Sequence, residues 1–519
     1  MTGQPHFYIT TPIYYVNDAP HIGHAYTTLA CDALARFKRL DGYQVKFLTG
    51  TDEHGQKVEK SAANAGIDPQ AFTDKVSQNF RDLAAFMNFT NDDFIRTTED
   101  RHKKSVQALW KRLLDAGEIY LGSYAGWYAV RDEAFYGEGE LEKREDGTRY
   151  AKASGADVEW VEEPSYFFRL SAWQDRLLAF YDQNPGFILP ETRRNEVLSF
   201  VKGGLQDLSV SRTTFKWGVP VPNDDDHIMY VWLDALTNYI TAIGFPETEA
   251  GEYPIFWPCD VHMVGKDILR FHAVYWPAFL MAAGLAPPKR VFAHGWWTNE
   301  GQKISKSLGN VIVPNELVAT YGLDQVRFFL LREVPFGNDG DFSHTAMVHR
   351  MNGELANDLG NLAQRVLSMV HKNCGRAVPN PGPFSEDDEA LLSQAAGLLE
   401  ALRALMDRQA FNEALEAIWI VVRAANGYVD RQAPWALRKE DPDRMATVLY
   451  VLVECIRHIA ILMQPITPDS AGKMLDQLAV PEADRGFTAL AKGHALVPGT
   501  ELPKPAPIFP RFVEDEVGS

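Results

Sequence analysis

Strand-like and helix-like hydrophobic patterns alternate through the first hundred residues. "FYITT" at 7–11 is a β-branched and aromatic run of the kind that fills a strand. "HAYTTLACDALARFKRLDG" at 24–42 places Leu34, Phe37 and Leu40 at helical spacing, with Gly42 as its stop. "VKFLTG" at 45–50 predicts the next strand, and "TDEHG" at 51–55 a polar turn. This β-α-β order predicts an α/β architecture with a doubly wound parallel sheet. Such sheets bind ligands beyond the carboxyl ends of their strands. "HIGH" (21–24) and "TDEHG" are both expected at that edge.

From about 116 to 225 the pattern changes. "GWYAVRDEAFYGEGELEKREDGTRY" and "VEWVEEPSYFFRL" are short, aromatic and turn-rich, which predicts an insertion between two halves of the sheet domain. Alternation resumes in "IFWPCDVHMVGKDILRFHAVYWPAFLMAAG" and "KRVFAHGWW". Beyond about 345 the periodicity is helical, with one stripe through Phe411, Leu415, Ile418 and Val422 and another through Leu398, Leu402 and Leu405. That predicts an all-α bundle. "PGTELPKPAPIFPRF" predicts an extended, proline-rich strap. The expected division is therefore 1–115 and 226–295 for the sheet domain, 116–225 for the insertion, 296–345 for a connecting region and 346–519 for the helices.

Composition narrows this little. The 519 residues are 46% apolar and 23% charged, and they exceed one core. The apolar run "MATVLYVLVECIRHIAILM" contains Glu454, Arg457 and His458, so it predicts a buried bundle helix and no membrane association. Cys31, Cys259, Cys374 and Cys455 are scattered, which fits a reducing cytoplasm better than a disulfide framework. The N-terminus has no secretory pattern. A net charge of −18 argues against indiscriminate nucleic-acid binding, but a local groove is compatible with it.

Two motifs carry chemistry. In "HIGH", a helix start offers backbone N–H groups and partial positive charge to a phosphate; His21 and His24 add side-chain donors, and Gly23 permits close approach. In "NEGQKISKSLGN", Lys303 and Lys306 flank serines in a glycine-bounded loop that can close ammonium groups over a polyphosphate. Either motif alone is weak evidence. Together on a doubly wound chain they resemble the HIGH and KMSKS signatures of class I aminoacyl-tRNA synthetases, with Ile304 in place of the methionine. That resemblance implies a Rossmann-type catalytic domain, a connective insertion, a stem-contact region around the lysine loop and a helical anticodon-binding domain.

The flanking segments "TTPIYYVNDAPHIGHAY", "FLTGTDEHGQK", "YVWLDALTNY", "HMVGKDILRFHAVYWPAFL", "REVPFGNDGDFS" and "NLAQR" resemble the methionyl-tRNA synthetase family over nearly the whole chain. The resemblance implies a methionine pocket of Ile13, Tyr15, Trp232, Ala235, Leu236, Tyr239, Ile268 and His272, with Asp52 on the substrate ammonium. Some members carry proline where this chain has Leu236. A polarisable thioether suits aromatic walls, and Tyr239 and His272 are each expected to offer its sulfur a donor. ATP is expected at His21, Gly23, His24, Gly265, Lys266, Asp267, Lys303 and Lys306, with Mg²⁺ riding on its phosphates. Catalysis is assigned to His21, His24, Lys303 and Lys306. In the helical domain, Trp435 is expected to stack on an anticodon base, with Asn361 and Arg365 reading base edges.

The expected activity is ATP-dependent formation of methionyl-adenylate, then transfer to initiator and elongator methionine tRNAs. Many relatives carry C-x-x-C zinc knuckles in the insertion. Residues 116–225 contain no cysteine, so no zinc is expected, and Trp127, Tyr128, Phe135 and Trp160 are expected to pack that region. The chain ends soon after "FPRF", without the dimerising module of some relatives, so a monomer is expected. The alternatives are a class I synthetase for leucine, valine, isoleucine or cysteine, a nucleotidyltransferase with an H-x-G-H loop, and a non-catalytic tRNA-binding relative.

Overall fold

In the computed structural model, which describes residues 3–16, 19–132, 134–304 and 309–514, the apolar run at 7–11 forms β1 (His6–Thr10). It is followed by β2 (Tyr14–Tyr15), α1 (Ile22–Leu40), β3 (Gln44–Asp52) and β4 (Asp93–Arg96). The chain divides into two units, residues 6–20 with 46–294, and residues 1–5 with 21–45 and 295–519.

The first unit is built on a seven-stranded sheet. Its order is Ile188–Leu189, Val291–His294, Val261–Gly265, β1, β3, β2, with β4 also paired to β3. The pairings of β1 with Val261–Gly265, of β3 with β2 and β4, and of Val291–His294 with both its neighbours are parallel. Early strands lie on one side of β1 and late strands on the other, which makes a topological switch point beside β1. The strands are near-continuous apolar runs because both sheet faces are covered. β3 runs two residues past the expected 45–50 segment, through Thr51 and Asp52, because Tyr14 and Tyr15 of β2 pair opposite them. The polar end of β3 is thus strand rather than turn.

Within 116–225 the main element is an antiparallel ribbon of Ile119–Ala129 and Glu159–Phe168, in register from Ile119↔Phe168 to Tyr128↔Glu159. Tyr128 is buried and its ring meets Phe135 at 4.7 Å. Trp160 does not pack inward as expected. It is 54% exposed and meets Trp127 edge-on at 5.4 Å, because its strand position faces outward.

The second unit contains α1, a small sheet of Trp297–Asn299, Gln302–Lys303 and Gly340–Phe342, and the helices that follow. Phe411, Leu415, Ile418 and Val422 form the buried stripe of the helix Phe411–Gln432. On Glu386–Met406 the buried stripe runs through Leu398, Leu402 and Met406, and Leu405 is only half-buried, one step off that face. The helix Pro442–Met463 is buried along its length. Its charges are paired internally: Arg457 donates to Glu454 at 3.0 Å and to the Ala489 carbonyl at 2.7 Å. The C-terminal segment is extended and tied to the helices, with Leu502 N–H on the Arg376 carbonyl at 2.8 Å and Phe512 N–H on Asn352 Oδ1 at 2.8 Å.

α1 is fixed in this unit by ionic contacts. Arg327, on the helix Leu323–Arg332, is fully buried. It donates to Asp32 of α1 at 2.7 Å and to the carbonyls of Ile466 at 2.9 Å and Pro465 at 3.0 Å. Lys38 pairs with Asp407 at 2.6 Å, and Asp41, capping the end of α1, pairs with Arg403 at 2.6 Å. Removing one partner of a buried pair leaves an uncompensated charge. Asp32→Asn is expected to destabilise this unit by about 3–5 kcal/mol. The check is a lowered urea midpoint followed by far-UV circular dichroism; an unchanged midpoint would show the pair to be dispensable.

Candidate functional site

Spacing alone assembles one wall of the first unit's candidate pocket. Trp232, Ala235, Leu236 and Tyr239 fall at i, i+3, i+4 and i+7 of the helix Val231–Thr241, so they share one face. Trp232 stacks on Phe271 with ring centroids 3.7 Å apart and planes 6° from parallel, and meets the edge of His272 at 6.2 Å. His272 lies in a single π-helical turn, Phe271–Tyr275. Turns of this kind recur at functional sites because they re-aim a side chain. Here the turn follows Lys266–Ile268, and His272 Nδ1 meets the Ile268 carbonyl at 3.0 Å. A carbonyl only accepts, so the ring proton is on Nδ1 and Nε2 accepts from the Tyr239 hydroxyl at 2.7 Å.

This geometry corrects an expectation. Tyr239 and His272 do not each hold out a donor to a thioether; Tyr239 donates to His272, and His272 donates to its own backbone. Burial pushes the His272 imidazole down to about 4, so the ring is neutral. Behind it, His262 accepts from Trp276 Nε1 at 3.3 Å and faces Thr10 Oγ1 at 2.8 Å, with its ring 4.1 Å from that of Tyr239. Burial, and then His272, hold His262 well below its ordinary value. Tyr8 fixes the same helix by donating to the Tyr239 carbonyl at 2.7 Å.

Asp52 ends β3 and is buried, directly opposite Tyr15 in the strand register. Ile13, Tyr15, Trp232 and Ile268 pack as half-buried groups against the main core of this unit, while Leu236 and Tyr239 lie within it. Gly265 ends its strand at the carboxyl edge, and Lys266 and Asp267 follow. A Cβ on Gly265 would sit 2.5 Å from Asp267 Oδ1, so a side chain there would push the Asp267 carboxylate aside. The sequence motifs did not single out a network beside these residues. His54 Nδ1 and His102 Nε2 meet the two oxygens of buried Asp234 at 2.7 and 2.8 Å. His54 and Asp234 lie inside motifs already quoted, but His102 carried no sequence signal.

The second unit holds the other candidates. α1 begins with a capping box made of two imidazoles: Gly23 N–H donates to His21 Nδ1 and His21 N–H donates to His24 Nδ1, each at 3.1 Å. The expected supply of unbonded N–H groups is therefore not there. Ile22 N–H goes to the Ile312 carbonyl at 3.1 Å, Gly23 N–H to the cap, and His24 N–H to the His21 carbonyl at 3.0 Å. Both Nδ1 atoms accept, so both neutral rings carry their proton on Nε2, which is the donor a phosphate oxygen requires. Burial, and then His21, hold His24 well below its ordinary value. A Cβ on Gly23 would lie 2.9 Å from His21 Cε1, so glycine is needed to let that ring cap the helix.

The Ile22–Ile312 bond brings the start of α1 to the segment just after the lysine motif. Lys303 is exposed, on Gln302–Lys303, with its ammonium 5.8 Å from the Trp296 ring centre. Lys306 lies outside the described residues. Asn361 and Arg365 are one turn apart on the helix Asn361–Asn373. Arg365 reaches Asp430 at 3.2 Å and Asn426 at 3.4 Å. Trp435 is the second residue of the short helix Pro434–Glu440 and is 49% exposed. Among the described residues, no group of three or more His, Cys, Asp or Glu side chains is arranged to hold a metal ion.

The chain matches two known families. That described as "tRNA synthetases class I (M)" matches residues 7–367, and that described as "Anticodon binding domain of methionyl tRNA ligase" matches residues 378–519. The chain is 60% identical over 508 residues to the methionine–tRNA ligase of Brucella suis biovar 1 (strain 1330), covering 98% of each. It is 57% identical over 510 residues to that of Rhizobium meliloti (strain 1021), covering 98% of this chain and 99% of the other. A crystal structure of Mycobacterium tuberculosis methionyl-tRNA synthetase bound by methionyl-adenylate is similar, with a TM-score of 0.95, 55% identity, and coverage of 97% of this chain and 100% of that one. The apo form of that enzyme is similar with a TM-score of 0.90 at 51% identity, covering 99% of each.

The depressed His272 has a consequence for stability. Its folded value of about 4 lies below the ordinary 6.5, so the unfolded chain binds the extra proton first. The contribution is complete above pH 6.5 and is lost as pH falls towards 4. Between pH 7 and pH 5 the loss from this group is about 2 kcal/mol. Urea titrations across that range are expected to be flatter for His272→Gln than for the parent; equal slopes would show that the imidazole does not titrate there.

Proposed function

The chain belongs to the class I methionyl-tRNA synthetase family, and from that premise we propose how its residues divide the work. The reaction activates L-methionine with ATP to methionyl-adenylate and then charges methionine tRNA. In the reading proposed here, Asp52 takes the substrate ammonium. Ile13, Tyr15, Trp232, Ala235, Leu236, Tyr239, Ile268 and His272 surround the thioether. Since Tyr239 and His272 spend their donors internally, the side chain is recognised by shape and dispersion rather than by a hydrogen bond to sulfur. The observation that supports this most directly is the i, i+3, i+4, i+7 face of Val231–Thr241 closed by the Tyr239–His272 bond.

His21 and His24 offer Nε2–H donors to the triphosphate, and Lys303 and Lys306 offer ammonium groups. Gly265, Lys266 and Asp267 complete the nucleotide set, with Asp267 at the ribose. The substrate is Mg·ATP, its metal held mainly by phosphate and water. A methionine carboxylate oxygen attacks the α-phosphorus, the bond to the bridging oxygen breaks, and pyrophosphate leaves. No proton need move, so the residues act by positioning and by stabilising charge. The tRNA's terminal hydroxyl, the 2′-OH first, then attacks the acyl carbon, the acyl–phosphate bond breaks, AMP leaves and the hydroxyl proton passes to the departing phosphate or to water. Trp435 stacks on an anticodon base while Asn361 and Arg365 read base edges, for initiator and elongator tRNAs alike. The same reading keeps the boundaries 1–115, 116–225, 226–295, 296–345 and 346–519, a zinc-free insertion, a monomer and a cytoplasmic location. Its insertion is held by the ribbon and its ring contacts.

Amino-acid-dependent ATP–pyrophosphate exchange tests this function. Methionine is expected to drive it, and leucine or valine driving it equally would overturn the substrate assignment. Lys306→Ala is expected to lower adenylate formation about a hundredfold or more with methionine binding nearly intact. A matching loss of methionine affinity would contradict its phosphate role. Trp435→Ala is expected to spare exchange but lower tRNA charging by about ten- to a hundredfold, the worth of one stacked base. An equal fall in both activities would remove the anticodon assignment.

A further inference from the structure

The residues after Asp52 are fastened more heavily than a strand end requires. Glu53 is fully buried, and its carboxylate accepts from Thr51 at 2.7 Å, Arg96 at 2.6 Å and Thr98 at 2.5 Å. Trp217 Nε1 donates to the Glu53 carbonyl at 2.6 Å. His54, next in line, is buried and meets Asp234 Oδ2 at 2.7 Å, while the other oxygen of Asp234 meets His102 at 2.8 Å. Asp234 is itself 1% exposed. Burial alone would raise its carboxyl, but the two histidines hold it down to about 2, so it is ionised. A buried carboxylate shared by two imidazoles is costly to desolvate and is not needed to fill space.

Its position gives it a use. Asp234 lies two residues from Trp232 and five from Tyr239 on the helix Val231–Thr241, and His54 lies two residues from Asp52. The His54–Asp234 bond therefore ties the strand end that carries the ammonium contact to the helix that carries the side-chain walls. His102, on the helix Asp100–Asp115, holds the carboxylate from the far side. We propose that Asp234, through His54, is a positioning residue that sets the spacing between Asp52 and the Trp232–Tyr239 wall, and so the affinity and selectivity for methionine. This rests on the methionine pocket proposed above.

The test is pyrophosphate exchange by the full-length chain, measured against methionine and ATP separately. Asp234→Asn keeps the volume and removes the charge. It is expected to raise KM for methionine about tenfold, leaving KM for ATP and kcat within about twofold. His54→Gln removes one arm and leaves Asp234 on His102, so it is expected to shift methionine KM in the same direction even if Asp234→Asn does not fold. Unchanged methionine KM in soluble His54→Gln overturns the proposal, as does an equal rise in both KM values, which marks a general structural role. If the parent chain shows no methionine-dependent exchange, the function reading itself fails; if only the variants behave like the parent, the positioning role alone fails.

Discussion

The arrangement of the second unit depends on one buried guanidinium. Arg327 has no access to water, and a charge so placed persists only where its partners are fixed. It draws together Asp32 of α1, the helix that contains it, and the carbonyls of Pro465 and Ile466. Asp32 lies about three turns along α1 from His21, so holding Asp32 sets both the depth and the rotation of the helix. Lys38 and Asp41 then fasten its other end. The imidazoles at the start of α1 are carried by the same unit as Lys303 and the helices beyond it, and the Ile22–Ile312 bond ties the start of α1 to the segment that follows the lysine motif.

Both candidate sites share a physical habit: their histidines, and Tyr239 in the pocket, are hydrogen-bonded before a ligand arrives. At the start of α1 the imidazoles cap each other's backbone and consume N–H groups that a bare helix end would present. In exchange, both rings are held in one tautomer. In the pocket, Tyr239 and His272 satisfy each other, and the neighbouring His262 is held between Thr10 and Trp276. Groups oriented in advance cost little to organise when the substrate binds, and the proposed adenylate-forming step, which moves no proton, relies on such orientation.

Much of this was legible from spacing. The β-α-β start and the bundle stripes follow from periods of two and 3.6 residues, whereas Trp232 and Tyr239 stood out only through the family resemblance. What escaped was what depends on pairing across distance. The polar end of β3 reads as a turn until Tyr14 and Tyr15 are found beside it. Leu405 fits a stripe by spacing yet sits one step off the buried face. Trp160, large and apolar, gives no sign that its side of the ribbon is open. His54, His102 and Asp234 come from three separate elements, and nothing in their local patterns announces that they meet. The helix Pro442–Met463 was legible by contrast: Glu454, Arg457 and His458 within its apolar run predict a buried bundle helix, and it is buried.

A pocket that recognises a thioether by shape has limited chemical leverage, because one methylene more or less is worth about 1–3 kcal/mol in an apolar site. The ammonium contact adds affinity but no information about the side chain, since every amino acid has one. Selectivity in the proposed pocket must then come from the distance between the two contacts: Asp52 fixes one end of the substrate and the Trp232–Tyr239 wall the other. An error there would let shorter or longer side chains fit equally well. Apolar packing tolerates small shifts, whereas a carboxylate held from two sides by imidazoles does not. That is the physical reason for a buried His54–Asp234–His102 network where leucines would have filled the space at less cost in desolvation.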